Sequence, residues 1–414
     1  MIQYEKFTLK NGLRVIYHFD NTSPMVAVNV LYDVGARDEV ISKTGFAHLF
    51  EHLMFGGSEN IPEYDTPLQM AGGENNAYTT NDITNYYIQL PAENLETAFW
   101  LESDRMLNLA FNQKSLDVQR KVVCEEFKEQ YINKPYGDVW KYLRELCYTV
   151  HPYQWMTIGK ELKHIEEATL QDVKEFFKKH YSPINAILCV AGNCSLETVK
   201  QLCKTYFEPI PSGEKYNRNI PKEPKQTSPR KLQVQKDVPV SVVIKAFHMA
   251  DRLDKAYYAT DLITDILSGG QSSRLYQRFV KNEKLCSEIS CYHTGSIDNG
   301  LIVFEAKLLP STKAEDFEAA LDNEIEKIKT TAISQQELDK VKNKVESMLA
   351  FEDLSLLSRA NNLAYYELLG DIEMMNTEFE KYNQVNAEEM LSYAQSILVP
   401  ENSNTLYYLS QPKQ

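Results

Sequence analysis

The sequence predicts an α+β protein built from two related α/β domains, and three observations carry that prediction. Residues 261–270, DLITDILSGG, align without a gap under residues 48–57, HLFEHLMFGG; a strand-like segment precedes each (SVVIKAF and VAVNVLY) and a Gly-Gly pair closes each. The ends of the two copies also correspond, YSPINAILCVAG at 181–192 resembling LVPENSNTLYYL at 398–409. Between the copies, from Glu208 to about Lys236, lies a stretch with five prolines and almost no apolar periodicity. Self-similarity near half the chain length implies a duplicated unit, and the proline-rich stretch reads as a linker. The expected division is 1–208, a linker at 209–236, and 237–414.

The elements follow in order. YEKFTLKNG and LRVIYHF alternate in hydropathy and are joined at Asn11-Gly12, a dipeptide suited to a tight turn between strands. MVAVNVLYDVG is a third strand with Val26, Val28 and Val30 on one face. GFAHLFEHLMF has helical apolar spacing and stops at Gly56-Gly57. Residues 58–75 read as a loop, and AYTTNDITNYYIQL, rich in Thr, Tyr and Ile, as a pair of strands. Helical patterns follow at about 92–107 and 113–132 and again in LQDVKEFFKKHY, and NAILCVAG is a buried strand.

At 414 residues the chain exceeds one ordinary core, and its 43% hydrophobic and 25% charged content is that of a globular protein. No apolar run approaches the roughly 20 residues of a membrane-spanning helix. The opening MIQYEKFTLKNGLRVIYHFD has no basic segment ahead of an apolar core, so no signal peptide is expected. A formal charge of −14 argues against nonspecific nucleic-acid binding, which needs a basic surface. The seven cysteines are scattered and never form CxxC; they suit a reducing compartment, with the cytoplasm expected, rather than a disulfide framework. Gly269-Gly270 belongs to no GxGxxG or GxxxxGK pattern and is read as a helix stop.

His48-Leu49-Phe50-Glu51-His52 sets three titratable side chains into an otherwise apolar helix, whereas the second copy has Asp261, Thr264 and Asp265 at the matching positions. The fold therefore does not require them. Residues three and four apart share a helix face, so His48 and His52 can grip one ion, and Zn²⁺ is the usual match for imidazole and carboxylate. Glu51 would lie beside that ion without binding it, where a general base is needed. Catalytic zinc takes three protein ligands, so one must come from elsewhere. SLDVQRKVVCEEFKEQY offers Glu125 and Glu126; with Leu116, Gln119, Val123 and Phe127 as the buried stripe, Glu126 falls about 60° from Val123 and Glu125 nearly opposite. Glu126 is the expected third ligand, and Glu125 is the competitor. His18, His164, His180, His248 and His293 lie outside any ligand spacing, and His151 is read as structural.

HxxEH has companions in GGENNAYTTNDITNYY at 72–87, VVCEEF at 122–127 and HPYQWMTIGKELKHI at 151–165. Together they resemble the pitrilysin-type (inverzincin) zinc peptidases, in the processing-peptidase branch that includes the mitochondrial processing peptidase β subunit and bacterial relatives. The resemblance covers essentially the whole chain. It implies two homologous domains, each a mainly antiparallel sheet packed with helices, forming half of a clam-like chamber around an unfolded peptide. It also implies one Zn²⁺ per chain on His48, His52 and Glu126, with Glu51 as base. In the same way Asn75 to Tyr78 would form an edge strand whose Asn76 and Ala77 pair with the substrate backbone, a case of β-augmentation; the alternative for Asn75 and Asn76 is a loop that caps a strand.

The chain departs from the family pattern at two places. An acidic residue sometimes found seven before the third ligand is here Gln119, so no acid is assigned there. An Arg and a Tyr seven apart in the second domain are replaced by Val280 and Ser287, with Arg278 two residues early. The resemblance is thus to the β-type subunit, whose zinc-less partner supplies Arg and Tyr. A heterodimer with a related chain is expected, with a homodimer as the alternative. The activity expected is that of a zinc metalloendopeptidase acting on unfolded or short peptides; the competing reading is a non-catalytic assembly or peptide-binding subunit.

Overall fold

The structure, a computed structural model, describes residues 1–331 and 333–411. The chain forms two compact units that are not contiguous in sequence: 1–129, 155–221 and 350–376 make the first, and 130–154, 222–349 and 377–414 the second.

The first unit holds strands β1 (Glu5–Thr8), β2 (Arg14–Phe19), β3 (Met25–Tyr32), β4 (Glu74–Thr79), β5 (Thr84–Pro91) and β6 (Ala186–Gly192), in the order β1-β2-β6-β3-β5-β4. Only β2 and β6 run parallel; the rest pair antiparallel. Its helices are α1 (Phe46–Met54), α2 (Asp65–Met70), α3 (Leu95–Asn108), α4 (Gln113–Phe127), α6 (Leu162–Glu166), α7 (Leu170–His180), α8 (Leu196–Leu202) and α12 (Leu356–Leu369). Both sheet faces are covered. Val26, Val28 and Val30 are fully buried on the face that α3 covers, while Ala27, Leu31, Ile187 and Cys189 pack against Ala360, Leu363 and Ala364 of α12.

The second unit repeats this plan. Strands β7 (Arg230–Lys236), β8 (Val242–His248), β9 (Cys286–His293), β10 (Leu301–Leu308) and β11 (Ser403–Ser410) lie in the order β7-β11-β8-β10-β9, with β7 and β11 parallel. This is the order β2-β6-β3-β5-β4 of the first unit, position for position. Helices α9 (Ala256–Ser268), α10 (Ala314–Thr330), α11 (Gln335–Glu352) and α14 (Ala387–Ile397) build the main core on one face. On the other, α5 (Val139–Cys147) sets Val139, Leu143 and Cys147 against Ile244, Val303 and Leu406. A further helix, α13 (Met374–Gln384), spans the boundary at residue 376. Two mainly antiparallel sheets packed with helices are the α+β, duplicated architecture expected from the repeat. The units differ from a division at the linker because α5, from the first half of the sequence, covers the second sheet, and α12, from the second half, covers the first.

Three local expectations change. Residues 230–236, assigned to the linker by composition, are the edge strand β7; Leu232 and Val234 alternate with polar residues and pack on the α5 side of the sheet. The loop at 58–75 contains α2 and the first two residues of β4, so the strand begins at Glu74 rather than Ala77. The helix expected to reach 132 ends its α-helical part at Phe127 and continues as a wider π-type turn from Lys128 to Asn133.

Beneath the chain that leaves α1, α3 buries a complete ion pair. Arg105 Nε and Nη2 donate to Glu102 at 2.9 and 2.6 Å, and Tyr64 Oη–H donates to the same carboxylate at 2.7 Å. The guanidinium lies over Tyr86 at 4.4 Å and Tyr64 at 4.7 Å from the ring centroids, and 5.6 Å from Phe55, the residue that caps α1. Removing one partner of such a pair strands the other charge in a medium that cannot solvate it. Glu102→Gln is expected to destabilise the first unit by about 3–5 kcal/mol, read as a lower urea midpoint. The double variant Glu102→Leu/Arg105→Met should lose less than the single one; a double loss as large as the sum of the two single losses would contradict this account.

Candidate metal centre

The site is built from α1 upward. Phe46, Ala47, Leu49, Phe50, Leu53 and Met54 form its buried stripe. The remaining positions, His48, Glu51 and His52, are half-buried on the opposite side, as i, i+3, i+4 spacing requires. Two glycines bracket the helix. Gly45 has φ +89°, and a Cβ there would meet Ile158 O at 2.5 Å; Gly57 has φ +87°, and its Cβ would meet Pro62 O at 2.4 Å. Both conformations and both contacts exclude side chains. No side chain caps the helix from the N-cap position itself; instead the Glu39 carboxyl oxygens accept the N–H groups of Gly45 and Ala47 at 2.8 and 2.9 Å.

α4 packs against α1 and brings in Glu126. His52 Nε2 lies 3.3 Å from Glu126 Oε2 and His48 Nε2 3.8 Å from Glu126 Oε1, with the imidazole centroids 4.8 Å apart. The three donor atoms lie within 4.8 Å of one another, and no other group of three or more His, Cys, Asp or Glu among the described residues could hold a metal ion. Glu125 is 74% exposed and pairs with Lys128 at 2.8 Å. The helix-face argument thus selects the glutamate that the structure brings to the histidines.

The donor set fits a zinc ion. Burial, chiefly, pulls His48 down to about 4, and hydrogen bonding to His52 holds Glu126 below the usual carboxylate range. At neutral pH His48 is therefore a neutral imidazole and Glu126 a carboxylate, the forms in which these groups coordinate metals. His48 Nδ1 is buried without a hydrogen-bond partner. Two imidazole nitrogens and a carboxylate oxygen match the ligand types of catalytic zinc.

Glu51 stands on the same face, and burial raises its pKa, which neighbouring His52 and a hydrogen bond from Thr79 oppose. Thr79 Oγ1 donates to Glu51 Oε2 at 2.6 Å. Neither Thr79 nor Glu39 was singled out by the sequence reading. The period-two pattern that puts Ala77 on the half-buried face of β4 puts Thr79 there too, whereas nothing in sequence marks Glu39 as the partner of a helix that begins seven residues later.

The other expected residues fall as follows. Asn76 and Ala77 lie on β4, the open edge of the first sheet, with Asn76 exposed and Ala77 on the face shared with Thr79. Asn76 Oδ1 accepts the Ala77 N–H at 2.8 Å, and Asn75 donates to Asp65 at 2.9 Å. His151 belongs to the second unit; its Nδ1 accepts the Tyr153 N–H and its Nε2 lies 3.4 Å from Asp298, so it serves structure. Val280 packs half-buried on the second core, and Ser287 is exposed. Arg278 is held by Glu283 and Glu324, each at 2.7 Å.

A duplicated α/β fold with a His-His-Glu cluster and an adjoining glutamate in one copy only is the arrangement of a zinc protease class. The chain belongs to peptidase family M16. Residues 14–154 match the family described as insulinase (peptidase family M16), and residues 167–345 the family described as peptidase M16 inactive domain. The chain is 30% identical to the zinc protease PqqE of Helicobacter pylori over 98% of its own length and 92% of that protein. It is 28% identical to the mitochondrial-processing peptidase subunit beta of Saccharomyces cerevisiae over 50% of this chain and 45% of that one. The crystal structure of a protease from Helicobacter pylori matches it with a TM-score of 0.92 and 30% identity over the whole of both chains. A peptidase M16 inactive domain from Pseudomonas fluorescens shares the fold at 16% identity, with a TM-score of 0.88. No described helix is long and apolar enough to cross a membrane.

Glu39 generates a test of how α1 is anchored. Burial pushes its pKa up to about 8, above the unfolded value near 4.5. Between those values the native chain binds the extra proton, so stability falls as pH rises through the window. From pH 5 to pH 8 the wild type should therefore lose unfolding free energy relative to Glu39→Gln, measured by chemical denaturation. Parallel curves for the two proteins would show that Glu39 does not titrate in that range.

Proposed function

We propose that this chain is a zinc-dependent metalloendopeptidase that cleaves unfolded or short peptides. The observation that supports it most is the approach of two imidazole nitrogens and the Glu126 carboxylate beside a half-buried glutamate. His48, His52 and Glu126 would hold one Zn²⁺ per chain. Bound there, the ion would act as a Lewis acid toward the scissile carbonyl and bring the ionisation of water close to neutral pH.

The chain's own residues do the rest. Glu51 takes a proton from the attacking water as the new C–O bond forms. It passes that proton to the amide nitrogen as the C–N bond breaks, so the products leave as a carboxylate and an amine. Ala77 and Asn76, on an exposed sheet edge, hold the peptide by main-chain hydrogen bonds, which accept many sequences. For the edge to be used, the Asn76 carboxamide must give up the Ala77 N–H. A clam-like chamber, built with a second chain, would exclude folded proteins by size.

We further propose that the second chain is a related subunit without the metal site. Support comes from the positions where the family carries its Arg and Tyr: Val280 and Ser287 offer neither group, and Arg278 is engaged by two carboxylates. A homodimer is the alternative. The seven unpaired cysteines suit the cytoplasm.

Metal analysis and a peptide assay test the reading together. Purified chain should bind one zinc per chain. His48→Ala, His52→Ala and Glu126→Gln should lose it, and Glu125→Gln should keep it. Glu51→Gln should retain zinc while cleavage falls by at least about 100-fold, the usual scale of a lost general base. Zinc-free protein, or undiminished cleavage by Glu51→Gln, would leave the non-catalytic reading in its place. Adding a related Arg- and Tyr-bearing chain should raise turnover; no gain over the chain alone would count against the heterodimer.

A further inference from the structure

We propose that Thr79 is a positioning residue for Glu51: it holds Oε2 and leaves Oε1 as the oxygen that exchanges the proton, so tying the exposed sheet edge to the chemistry. The inference rests on the assignment of Glu51 as base.

Three observations carry it. Thr79 Oγ1 donates to Glu51 Oε2 at 2.6 Å, the length of a strong hydroxyl–carboxylate bond. A glutamate on a helix has three torsions to fix, and Thr79 holds this one through its hydroxyl, with a smaller contribution from its backbone N–H. The donor is itself rigidly placed. Thr79 pairs with Thr84 across the β4–β5 ladder, and Thr84 Oγ1 in turn donates to Val34 O at 2.9 Å. A β-branched side chain in a strand has few χ1 choices, so a fixed backbone gives the hydroxyl a fixed aim. The neighbouring hydroxyl cannot replace it: Thr80 Oγ1 accepts the N–H groups of Asp82 and Ile83 in the turn, each at 3.0 Å.

The geometry also has a direction. Strand alternation sets Asn75, Ala77 and Thr79 half-buried on one face of β4, with Glu74, Asn76 and Tyr78 exposed on the other. Ala77, proposed to pair with the peptide backbone, is two residues from the hydroxyl that holds the base. A peptide that pairs with this edge is therefore registered against Glu51 through one strand, with a single residue between the two contacts.

The test compares Thr79→Val with Thr79→Ser. Valine has the same shape and suits a strand but lacks the O–H; serine restores the O–H without the methyl. On an unstructured fluorogenic peptide, Thr79→Val should lower kcat at least about tenfold with KM within about twofold, as expected when a catalytic group is misplaced but not removed. Thr79→Ser should recover most of that loss, and both variants should bind zinc as the wild type does. Crystals of metal-free protein give a readout independent of turnover: the Glu51 carboxylate should occupy more than one rotamer in Thr79→Val and one in Thr79→Ser. An unchanged kcat with one Glu51 rotamer in Thr79→Val, equal impairment of both variants, or a change in KM alone would each overturn the inference. Glu51→Gln separates the two levels. If it is inactive while Thr79→Val is fully active, only Thr79 loses its role; if it is active, the base assignment itself falls.

Discussion

The packing of α1 against α4 is the contact on which the site depends, because it brings ligands from two helices, 78 positions apart between Glu126 and His48, to within 4.8 Å. Neither helix places them alone. α1 contributes spacing and α4 contributes distance, and an error of one residue in either would replace a ligand with an apolar core residue or with the exposed Glu125. Much of the first unit fixes this contact. Glu39 holds the N-terminus of α1 through two backbone donors, Gly45 lets Ile158 approach to a distance no side chain tolerates, and Arg105 supports the C-terminus through Phe55. A buried ion pair is a costly way to build such a support, since its desolvation offsets most of its attraction. Its value lies in direction: guanidinium and carboxylate meet in one geometry, whereas packed aliphatic groups tolerate several.

The electrostatics of the cluster follow from the same packing. Burial disfavours the imidazolium of His48, and the imidazoles favour the carboxylate of Glu126. The two effects act in opposite directions on acid and base, and both lead to the protonation states that coordinate a cation. The placement of the ligands thus already favours the neutral form of His48 and the ionised form of Glu126 that an ion needs. Thr79 extends this preparation to Glu51, whose Oε2 accepts its hydroxyl.

What could be read from the sequence was what periodicity encodes. The gapless repeat fixed the duplication, HxxEH set the ligands on one helix face, and the angular distance from Val123 chose Glu126 over Glu125. Each is a local rule applied to neighbours in sequence. The features that escaped depend on contacts between distant segments. The exchange of α5 and α12 leaves no local trace, because an amphipathic helix carries the same stripe whichever sheet it covers. β7 was hidden by its prolines upstream and by an edge position that needs only Leu232 and Val234 to be apolar. Glu39 and Arg105 are charged residues that ordinary expectation puts in water, and only tertiary structure reveals that each has partners enough to be buried.

The second copy shows what the fold does when the metal is not required. Asp261 and Asp265 stand where the first copy has His48 and His52, and Lys344 of α11 reaches Asp265 at 2.6 Å. Asp261 accepts from Tyr382 at 2.6 Å and lies 3.0 Å from His293 Nε2. The polarity of the first site is inverted: carboxylates on the inner helix meet a cation from the following helix pair, where imidazoles meet a carboxylate. This arrangement pairs both carboxylates with partners of the second unit. In the first copy the corresponding groups are two imidazoles that meet a single carboxylate, Glu126, from α4. The same helix position carries carboxylates paired with Lys344 and His293 in one unit and imidazoles gathered on one carboxylate in the other, and that difference, rather than any difference in fold, separates the candidate metal centre from its structural counterpart.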